Sequence, residues 1–306
     1  MKGLELSRQY YEKFGKPMLE SEFSPYLDRI AVGLVGHGSE CFGFDDEISK
    51  DHDYEAGFCL WIDEEADKEF GFKLFRAYRR LPKEYEEVKM QEESVLGSKF
   101  KGVHTIKEFY SFYTGTGDVP ETLDHWLSIP DFYLAEATNG LIFSDPQGEF
   151  SRIRGGLMHR PEDIRLKKLA ECLFAMAQCG QYNYGRCIDH KQYAAAATTL
   201  SDFAKYAAEA IYHLNKAYAP YYKWLFKGLE NLSILSDLNP FFYELMQEPY
   251  NQEKNFVIIE KISTAIIAEI KNQDLSNRSD DYLEPFAYDV MSHINDSNLR
   301  NSSPIR

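Results

Sequence analysis

The hydrophobic pattern of this chain changes character near residue 160, and that change limits the folds open to it. Before it, apolar stretches such as residues 31–36 and 54–62 are short and read as buried strands. After it, apolar residues recur at helical spacing over four long segments, residues 161–182, 190–217, 221–236 and 252–272. We therefore predict an α+β domain, a small mixed sheet flanked by helices, over residues 1–155, followed by an all-α helical bundle over residues 156–300.

Helical spacing and charge place further helices in the first domain. The first thirty residues have apolar side chains at helical spacing. Asp63, followed by two acids, predicts a helix that starts there and runs to about Arg80, because acids at the start and bases at the end suit the helix dipole. Residues 107–138 predict short helices interrupted by glycine and proline.

Other local signals predict a strand, a turn and the ends of the two domains. Residues 103–106 are expected to form a third strand, and residues 140–150 a β-hairpin around Asp145. Gly155-Gly156 marks the expected domain boundary. The polar residues from Asn295 to Arg306 are expected to be frayed.

Composition argues against several classes of function. The chain has 306 residues with 49 acidic against 34 basic side chains, so its net charge of −15 disfavours a long nucleic-acid partner and fits a small-molecule acceptor better. It has no apolar stretch of about 18 residues that would predict a membrane span, and no apolar signal core at its start. Five scattered cysteines without CxxC spacing predict free thiols in a reducing cytoplasm. A cytoplasmic location follows as an expectation.

The most informative motif follows the first predicted strand. Gly38-Ser39 follows an apolar run, and after eleven intervening residues Asp51-x-Asp53 leads into the second strand. Carboxylates at positions i and i+2 of a strand project to the same face, where both can ligate Mg²⁺ or Mn²⁺. The glycine permits close backbone approach, and the serine hydroxyl with the N–H groups of the turn can hold a phosphate.

The same residues also have a simpler interpretation. Asp-x-Asp alone is common and is typical of solvated turns, but its spacing from a strand that ends in Gly-Ser favours a functional site. His52, between the two acids, would point to the opposite face and is expected to be a packed histidine.

The stretch from Gly38 to Asp53 resembles the Gly-Ser…Asp-x-Asp signature of the polymerase-β nucleotidyltransferase superfamily. Over about residues 25–240 the chain further resembles the bacterial DUF4037 domain proteins, notably at residues 137–145, 181–186 and 218–224. The resemblance implies an N-terminal nucleotidyltransferase domain and a helical C-terminal domain like that of aminoglycoside nucleotidyltransferases. It does not specify the acceptor.

One departure from the superfamily concerns its third carboxylate. The strand expected to carry it, residues 102–106, contains no acid. Three acids are candidates to replace it. Asp145 is better explained as a turn residue and Glu108 as a helix-surface charge, whereas Glu55 lies two residues after Asp53 and is expected to share its face. Without such an acid the usual general base or second metal ligand would be missing.

In the helical domain, polar side chains crowd one helix end at Gln181, Asn183, Tyr184 and Arg186. They are expected either to line a substrate site or to cap the helix, and for the first case we predict that they face Asp51 and Asp53 across a cleft. Lys223, at the start of a helix, either neutralises triphosphate charge or is a surface lysine. Arg186 and His190 suggest the catalytic pair of the HEPN ribonucleases. The three-residue gap between them is shorter than in the usual motif of that class, which argues against this function.

The sequence thus predicts an enzyme that moves a nucleoside monophosphate, AMP in the first instance, from ATP or another nucleoside triphosphate to a small-molecule hydroxyl or amine. Its predicted residues fall into four groups: Asp51 and Asp53 for the metal, these two with Glu55 for catalysis, Gly38, Ser39 and Lys223 for the nucleotide, and Gln181, Asn183, Tyr184 and Arg186 for the acceptor. The alternatives are a protein- or tRNA-modifying nucleotidyltransferase and a non-catalytic nucleotide-binding regulator. The oligomeric state is not specified.

Overall fold

The computed structural model describes residues 1–46, 56–86, 88–89 and 101–305. The chain divides into two compact units, Met1–His159 and Arg160–Arg306. The first combines a mixed sheet with helices, and every regular element described in the second is a helix. This arrangement confirms the predicted fold class, an α+β domain followed by an all-α domain.

The sheet of the first unit has four strands, and a separate two-stranded hairpin accompanies it. In chain order the strands are β1 (Ala31–Leu34), β2 (Cys59–Ile62), β3 (Glu84–Tyr85), β4 (Val88–Lys89), β5 (Gly102–Thr105) and β6 (Leu141–Ser144). The main sheet has the order β5-β2-β1-β6, and β3 pairs with β4. β1 is antiparallel to both of its neighbours, whereas β2 and β5 are parallel.

The helices of the first unit cover the sheet. They are α1 (Gly3–Tyr10), α2 (Lys16–Glu22), α3 (Ser39–Phe42), α4 (Glu64–Ala66), α5 (Phe72–Arg79), α6 (Ile106–Thr114), α7 (Leu123–Ser128), α8 (Asp131–Thr138) and α9 (Glu149–Met158). Short π-helical segments, Tyr11–Gly15 and Asp67–Gly71, join α1 to α2 and α4 to α5, and a 3₁₀ helix spans Ser24–Arg29. Asp63 caps α4 as expected, since its carboxylate accepts from the N–H of Ala66 at 2.7 Å.

Strand β2 is buried on both faces, and its successive side chains point to opposite sides of the sheet. Leu60 and Ile62 of β2 belong to a cluster that includes Tyr10, Phe23 and other residues from the N-terminal helices and α5. Trp61, between them in sequence, stacks on Phe150 of α9 with ring centroids 4.0 Å apart and meets Phe109 of α6 edge-on. Strand β2 therefore packs against helices on both faces of the sheet.

The predicted hairpin over residues 140–150 is wrong. Residues 141–144 do form a strand, but it pairs with β1, and the chain after the turn continues as α9. Asp145 lies four residues before this helix, and its carboxylate accepts from the N–H of Ser151 in the first helical turn at 2.7 Å. Turn residues that suit a hairpin also suit a helix start, and only the long-range pairing with β1 separates the two.

Gly155 and Gly156, the expected boundary, lie inside α9. A Cβ atom on Gly156 would lie 2.4 Å from Cγ2 of Val119. The glycine is therefore explained by close packing of the helix and not by a linker.

The second unit is a helical bundle. Its helices are α10 (Glu162–Met176), α11 (Tyr184–Asp189), α12 (Tyr193–Leu214), α13 (Tyr222–Leu229), α14 (Asn239–Gln247), α15 (Gln252–Asn272), α16 (Glu284–Ser292) and α17 (Ser297–Arg300), with a π-helical segment at Ala177–Asn183 and a 3₁₀ turn at Ser236–Leu238. In α15, Ile259, Ile262, Ile266 and Ile270 are fully buried, and their spacing forms one helical stripe. No helix within the described ranges is long and apolar enough to span a membrane.

The C-terminal segment is docked on this bundle, so the expectation of a frayed end was wrong. Lys167, which is 2% exposed, donates from Nζ to the carbonyls of Ser303 and Pro304. Asp163 accepts from the backbone N–H groups of Asn295 and Asp296, each at 2.9 Å. Charged side chains of α10 therefore hold a polar segment that has no hydrophobic pattern of its own.

Candidate functional site

The loop after β1 carries the Gly-Ser pair of the predicted phosphate site. Gly36 and Gly38 have φ angles of 121° and 118°, a region that side chains with a Cβ rarely adopt. Gly38 precedes α3, whose first residue, Ser39, is half-buried. The loop conformation thus depends on its glycines.

A side-chain amide clamps the start of this loop. The Oδ1 atom of Asn139 accepts from the N–H of Gly36, and its Nδ2 donates to the carbonyl of Gly36, both at 2.8 Å. The next residue, Gly140, donates its N–H to the carbonyl of Cys41 at 2.9 Å. Gly140 has a φ of +64°, and a Cβ atom there would lie 2.0 Å from the carbonyl oxygen of Leu34. Only glycine permits this contact between the end of α8 and the end of β1.

Arg154 in turn fixes the segment that carries this clamp. Its Nη2 donates to the carbonyls of Thr138 and Asn139 at 2.8 and 2.9 Å. These are carbonyls at the end of α8, which lack helical partners. Arg154 is half-buried, and this burial lowers the pKa of its guanidinium from the usual value.

A buried ion pair lies on the other side of the loop. Nζ of Lys101 is 3.2 Å from Oε1 of Glu40, and the two side chains are only 11% and 5% exposed. A Cβ atom on Gly38 would lie 2.5 Å from Oε2 of Glu40, and one on Gly57 would lie 3.1 Å from Cδ of Lys101. The two glycines therefore make room for the pair between the loop after β1 and the chain entering β2.

A histidine and a carboxylate also pair at this loop. Nδ1 of His37 is 3.2 Å from Oε1 of Glu136 in α8. The histidine side chain is 46% exposed and the glutamate only 6%. Burial raises the pKa of the Tyr113 hydroxyl well above the usual value, and the backbone of His37 acts on it in the opposite direction.

The predicted catalytic residues Asp51, Asp53 and Glu55, together with His52, lie outside the described residues. The strands on either side of them are described. Because β1 and β2 are antiparallel, with Gly33 opposite Cys59, the loop after β1 and residues 56–58 before β2 lie at the same edge of the sheet.

The other two candidates for a third carboxylate have local structural roles. Glu108 and Thr105 form a capping box at the start of α6, in which the Glu108 carboxylate accepts from the N–H of Thr105 at 3.2 Å. Asp145 bonds the first turn of α9 through the N–H of Ser151, as described above. Among the described residues, no group of three or more His, Cys, Asp and Glu side chains is arranged to hold a metal.

In the second unit, Gln181 and Tyr184 are occupied by internal hydrogen bonds. Gln181 donates to the Glu260 carboxylate at 3.2 Å and accepts from the N–H of Leu283 at 2.9 Å. Tyr184 is fully buried, and its hydroxyl donates to the carbonyl of Pro249 and accepts from Nδ2 of Asn255, both at 2.9 Å. These contacts account for both side chains as parts of the bundle.

The remaining polar candidates of this unit are accessible. Asn183 is half-buried at the end of the π-helical segment. Arg186 is exposed and lies over the ring of Tyr182, 5.1 Å from its centroid. Lys223 is exposed in the first turn of α13.

Sequence reasoning assigned no role to the residues that shape the loop. Glu40 and Asn139 lie within the motifs that carry the family resemblance, so their positions alone could have drawn attention to them. Lys101, His37 and Glu136 gave no comparable signal, because each is explained only by a partner distant in the chain.

A family model described as a domain of unknown function (DUF4037) matches residues 126–225. This segment contains Glu136, Asn139 and Gly140, which contact the loop after β1. No curated protein matches the chain.

One solved structure similar to this chain is the nucleotidyltransferase-like protein from Exiguobacterium sibiricum 255-15. The two are 10% identical, with a TM-score of 0.36, over 92% of this chain and 80% of that one. A likeness at this level carries no argument about function, which rests on the residues themselves.

Proposed function

We propose that this protein transfers a nucleoside monophosphate from a nucleoside triphosphate, ATP in the first instance, to a hydroxyl or amine of a small molecule. The observation that carries the proposal is the Gly36–Ser39 loop. Asn139, Gly140 and Glu40 hold it at the sheet edge where the chain enters β2, directly after Asp51-x-Asp53 in sequence. Catalysis of phosphoryl transfer is mostly positioning and charge stabilisation, so a preorganised loop at this place is what the reaction needs.

Chain connectivity supports a joint role for the loop and the two aspartates. Asp53 precedes Ala56 by three residues, and Ala56 is the first residue described before β2. The two aspartates therefore belong to the same connection between β1 and β2 as the loop.

The proposed reaction is an in-line displacement at the α-phosphorus. The acceptor oxygen or nitrogen forms a bond to this phosphorus, the bond to the bridging oxygen of the β-phosphate breaks, and pyrophosphate leaves. Ser39 would hold phosphate oxygens, and Glu55 would take the acceptor proton. Asp51 and Asp53 are the donor type that Mg²⁺ or Mn²⁺ prefers, and such a metal would supply neutralising charge to the triphosphate.

On the acceptor side, the proposal keeps Asn183 and Arg186 as binding residues and Lys223 as a cation for the triphosphate. Each is accessible, whereas Gln181 and Tyr184 already have internal partners. Substituting Asn183 or Arg186 by alanine is expected to raise the KM for the acceptor, and substituting Lys223 the KM for the triphosphate.

The central test is Asp51→Asn and Asp53→Asn. We expect each variant to lose Mg²⁺-dependent ATP binding in calorimetry and pyrophosphate release in turnover assays. Stability without ligand should hold or rise, since a carboxylate aimed at a metal serves binding rather than the core. Asp28→Asn, at an exposed aspartate of the same unit, is the control and should behave as wild type. Wild-type binding of Mg²⁺ and ATP by either active-site variant would refute the proposal.

A further inference from the structure

The solvent-facing side of helix α5 in the first unit carries aromatic rings. The helix buries Leu74, Ala77 and Tyr78. Its opposite side is formed by four exposed residues at positions i, i+3, i+4 and i+7, which are Phe72, Phe75, Arg76 and Arg79. We call these four residues the outer face of α5. Phe72 is 73% exposed and Phe75 38%, and neighbouring exposed rings of this kind indicate an interaction surface.

Each ring of the outer face lies beside a guanidinium group. The Cζ atom of Arg76 is 6.0 Å from the centroid of the Phe72 ring, and that of Arg79 is 5.7 Å from the centroid of the Phe75 ring. The negative face of an aromatic ring attracts such a cation. The planar N–H donors of a guanidinium match the oxygens of a phosphate. The outer face of α5 therefore combines apolar area with donors for an anion.

The charge around this face is the reverse of that of the whole chain. Residues 72–83 contain five basic side chains and no acidic one, in a chain with a net charge of −15. Two of the five also contact Glu22 of α2, since Nζ of Lys73 donates to its carbonyl at 3.4 Å and Nη2 of Arg80 to its carboxylate at 2.7 Å. Within the described ranges Arg76 forms no ion pair. The helix thus presents positive charge that its own segment does not compensate.

An anionic lipid bilayer matches both properties of this face. Phenylalanine rings bury at the boundary between headgroups and acyl chains, and basic side chains beside them are attracted to anionic lipids. Single-stranded nucleic acid is bound instead in grooves that follow its backbone, whereas the outer face of α5 is one side of a helix from which rings project. Acidic residues elsewhere on the chain repel a bilayer little, because physiological salt screens charges beyond about 8 Å.

We propose that the outer face of α5 binds the surface of an anionic lipid bilayer. The two phenylalanine rings enter the headgroup boundary, and the arginines beside them bind lipid phosphates. Few side chains take part, so the binding is reversible and weakens as the salt concentration rises. The proposal does not depend on nucleotide transfer, because the outer face of α5 shares no residue with the Gly36–Ser39 loop.

Co-sedimentation of the full chain with vesicles tests the proposal. Wild type should bind vesicles of phosphatidylcholine mixed with phosphatidylglycerol more tightly than vesicles of phosphatidylcholine alone, and added salt should remove most of the difference. The double variant Phe72→Ser, Phe75→Ser should bind the mixed vesicles at least about tenfold more weakly, since no ring enters the bilayer. Arg76→Gln should weaken binding about fivefold, because one cation near the lipid surface is lost.

Two control variants separate this face from exposed residues in general. Phe112→Ser replaces a ring of α6 that is 53% exposed, and Arg152→Gln replaces an exposed arginine that pairs with Asp118. Both should bind the mixed vesicles as wild type does. The substituted side chains are all exposed, so the Tm of each variant should stay near that of wild type. If the double serine variant is less stable, Arg76→Gln decides alone.

Five results would overturn the proposal. The first two are that wild type binds no mixed vesicles, or binds both kinds of vesicle equally, which would leave no role for the cations. The next two are that the variants of the outer face bind like wild type, or that Phe112→Ser loses as much binding as they do. The last is that wild type binds a single-stranded RNA oligonucleotide but no vesicles, and that the same variants weaken this binding, which would assign the face to nucleic acid.

Discussion

Two regions of the molecule concentrate polar side chains, and they use them differently. Around the Gly36–Ser39 loop of the first unit, buried side chains contact exposed or half-buried ones, as the buried Glu136 contacts the exposed His37. In the segment 178–186 of the second unit, Gln181 and Tyr184 form hydrogen bonds with partners inside the bundle. The first region holds polar groups at a surface, and the second joins helices.

The difference teaches how a cluster of polar residues should be judged. Buried polar groups must find partners, so a dense polar segment in a helical bundle is first of all a set of helix-to-helix links. A binding site is better indicated where buried groups fix a backbone that has unusual φ angles and leaves a ring accessible. By this criterion the loop of the first unit is the stronger candidate.

The largest expected effect comes from Lys101→Met. It leaves the Glu40 carboxylate buried and without its lysine partner, a change that costs about 3–5 kcal/mol in free energy of unfolding. Chemical denaturation measures this directly. Lys107→Met is the matched control, because Lys107 pairs with Glu64 on the surface, where both side chains are more than half exposed, and should change stability little.

Replacing both Glu40 and Lys101 separates the effect of the ion pair on stability from its effect on ATP binding. Glu40→Leu combined with Lys101→Met should recover most of the lost stability, since an apolar pair can replace a buried ion pair, while ATP binding stays weak because the loop has lost its support. A single Lys101→Met variant as stable as wild type would show that the pair is not buried in solution, and the comparison of the two regions would fail.

The next largest effect is expected at Gly140. Comparing it with Gly148 separates the cost of backbone strain from the cost of a steric clash. Gly148→Ala adds a side chain at a φ of +73° with nothing within 4 Å, so strain alone should cost about 1–2 kcal/mol. Gly140→Ala has a similar φ of +64°, but its Cβ would collide with the carbonyl of Leu34, which should add about 1–3 kcal/mol and weaken ATP binding. Thermal unfolding of both variants tests this. Equal losses would mean that the end of α8 does not support the loop.

The smallest effect is expected for Tyr184→Phe in the second unit. It removes a buried hydroxyl bonded to Pro249 and Asn255, and should cost about 1–2 kcal/mol of stability without changing KM for the acceptor or ATP. Tyr182→Phe, at a half-exposed ring nearby, is the control. A change in acceptor KM with unchanged stability would return Tyr184 to the acceptor site and remove the contrast between the regions.

The sequence by itself determined the elements whose signals are local. Helix α15 begins and ends where residues 252–272 predict, because its isoleucine stripe repeats with the helical period. Asp63 and the short apolar runs located α4 and the central strands in the same way. The order of an α+β and an all-α domain followed from these local patterns.

Tertiary structure alone decided what depends on distant partners. The pairing of β6 with β1 replaced the predicted hairpin, since the turn at Asp145 suits either outcome and the choice depends on the long-range pairing of β6 with β1. The pairs Glu40–Lys101 and His37–Glu136 join residues far apart in the chain, and no periodicity or spacing in the sequence predicts these contacts. A local sequence pattern reflects the period of the helix or strand in which it lies. A contact between two distant side chains forms only when the folded sheet and helices bring them close together.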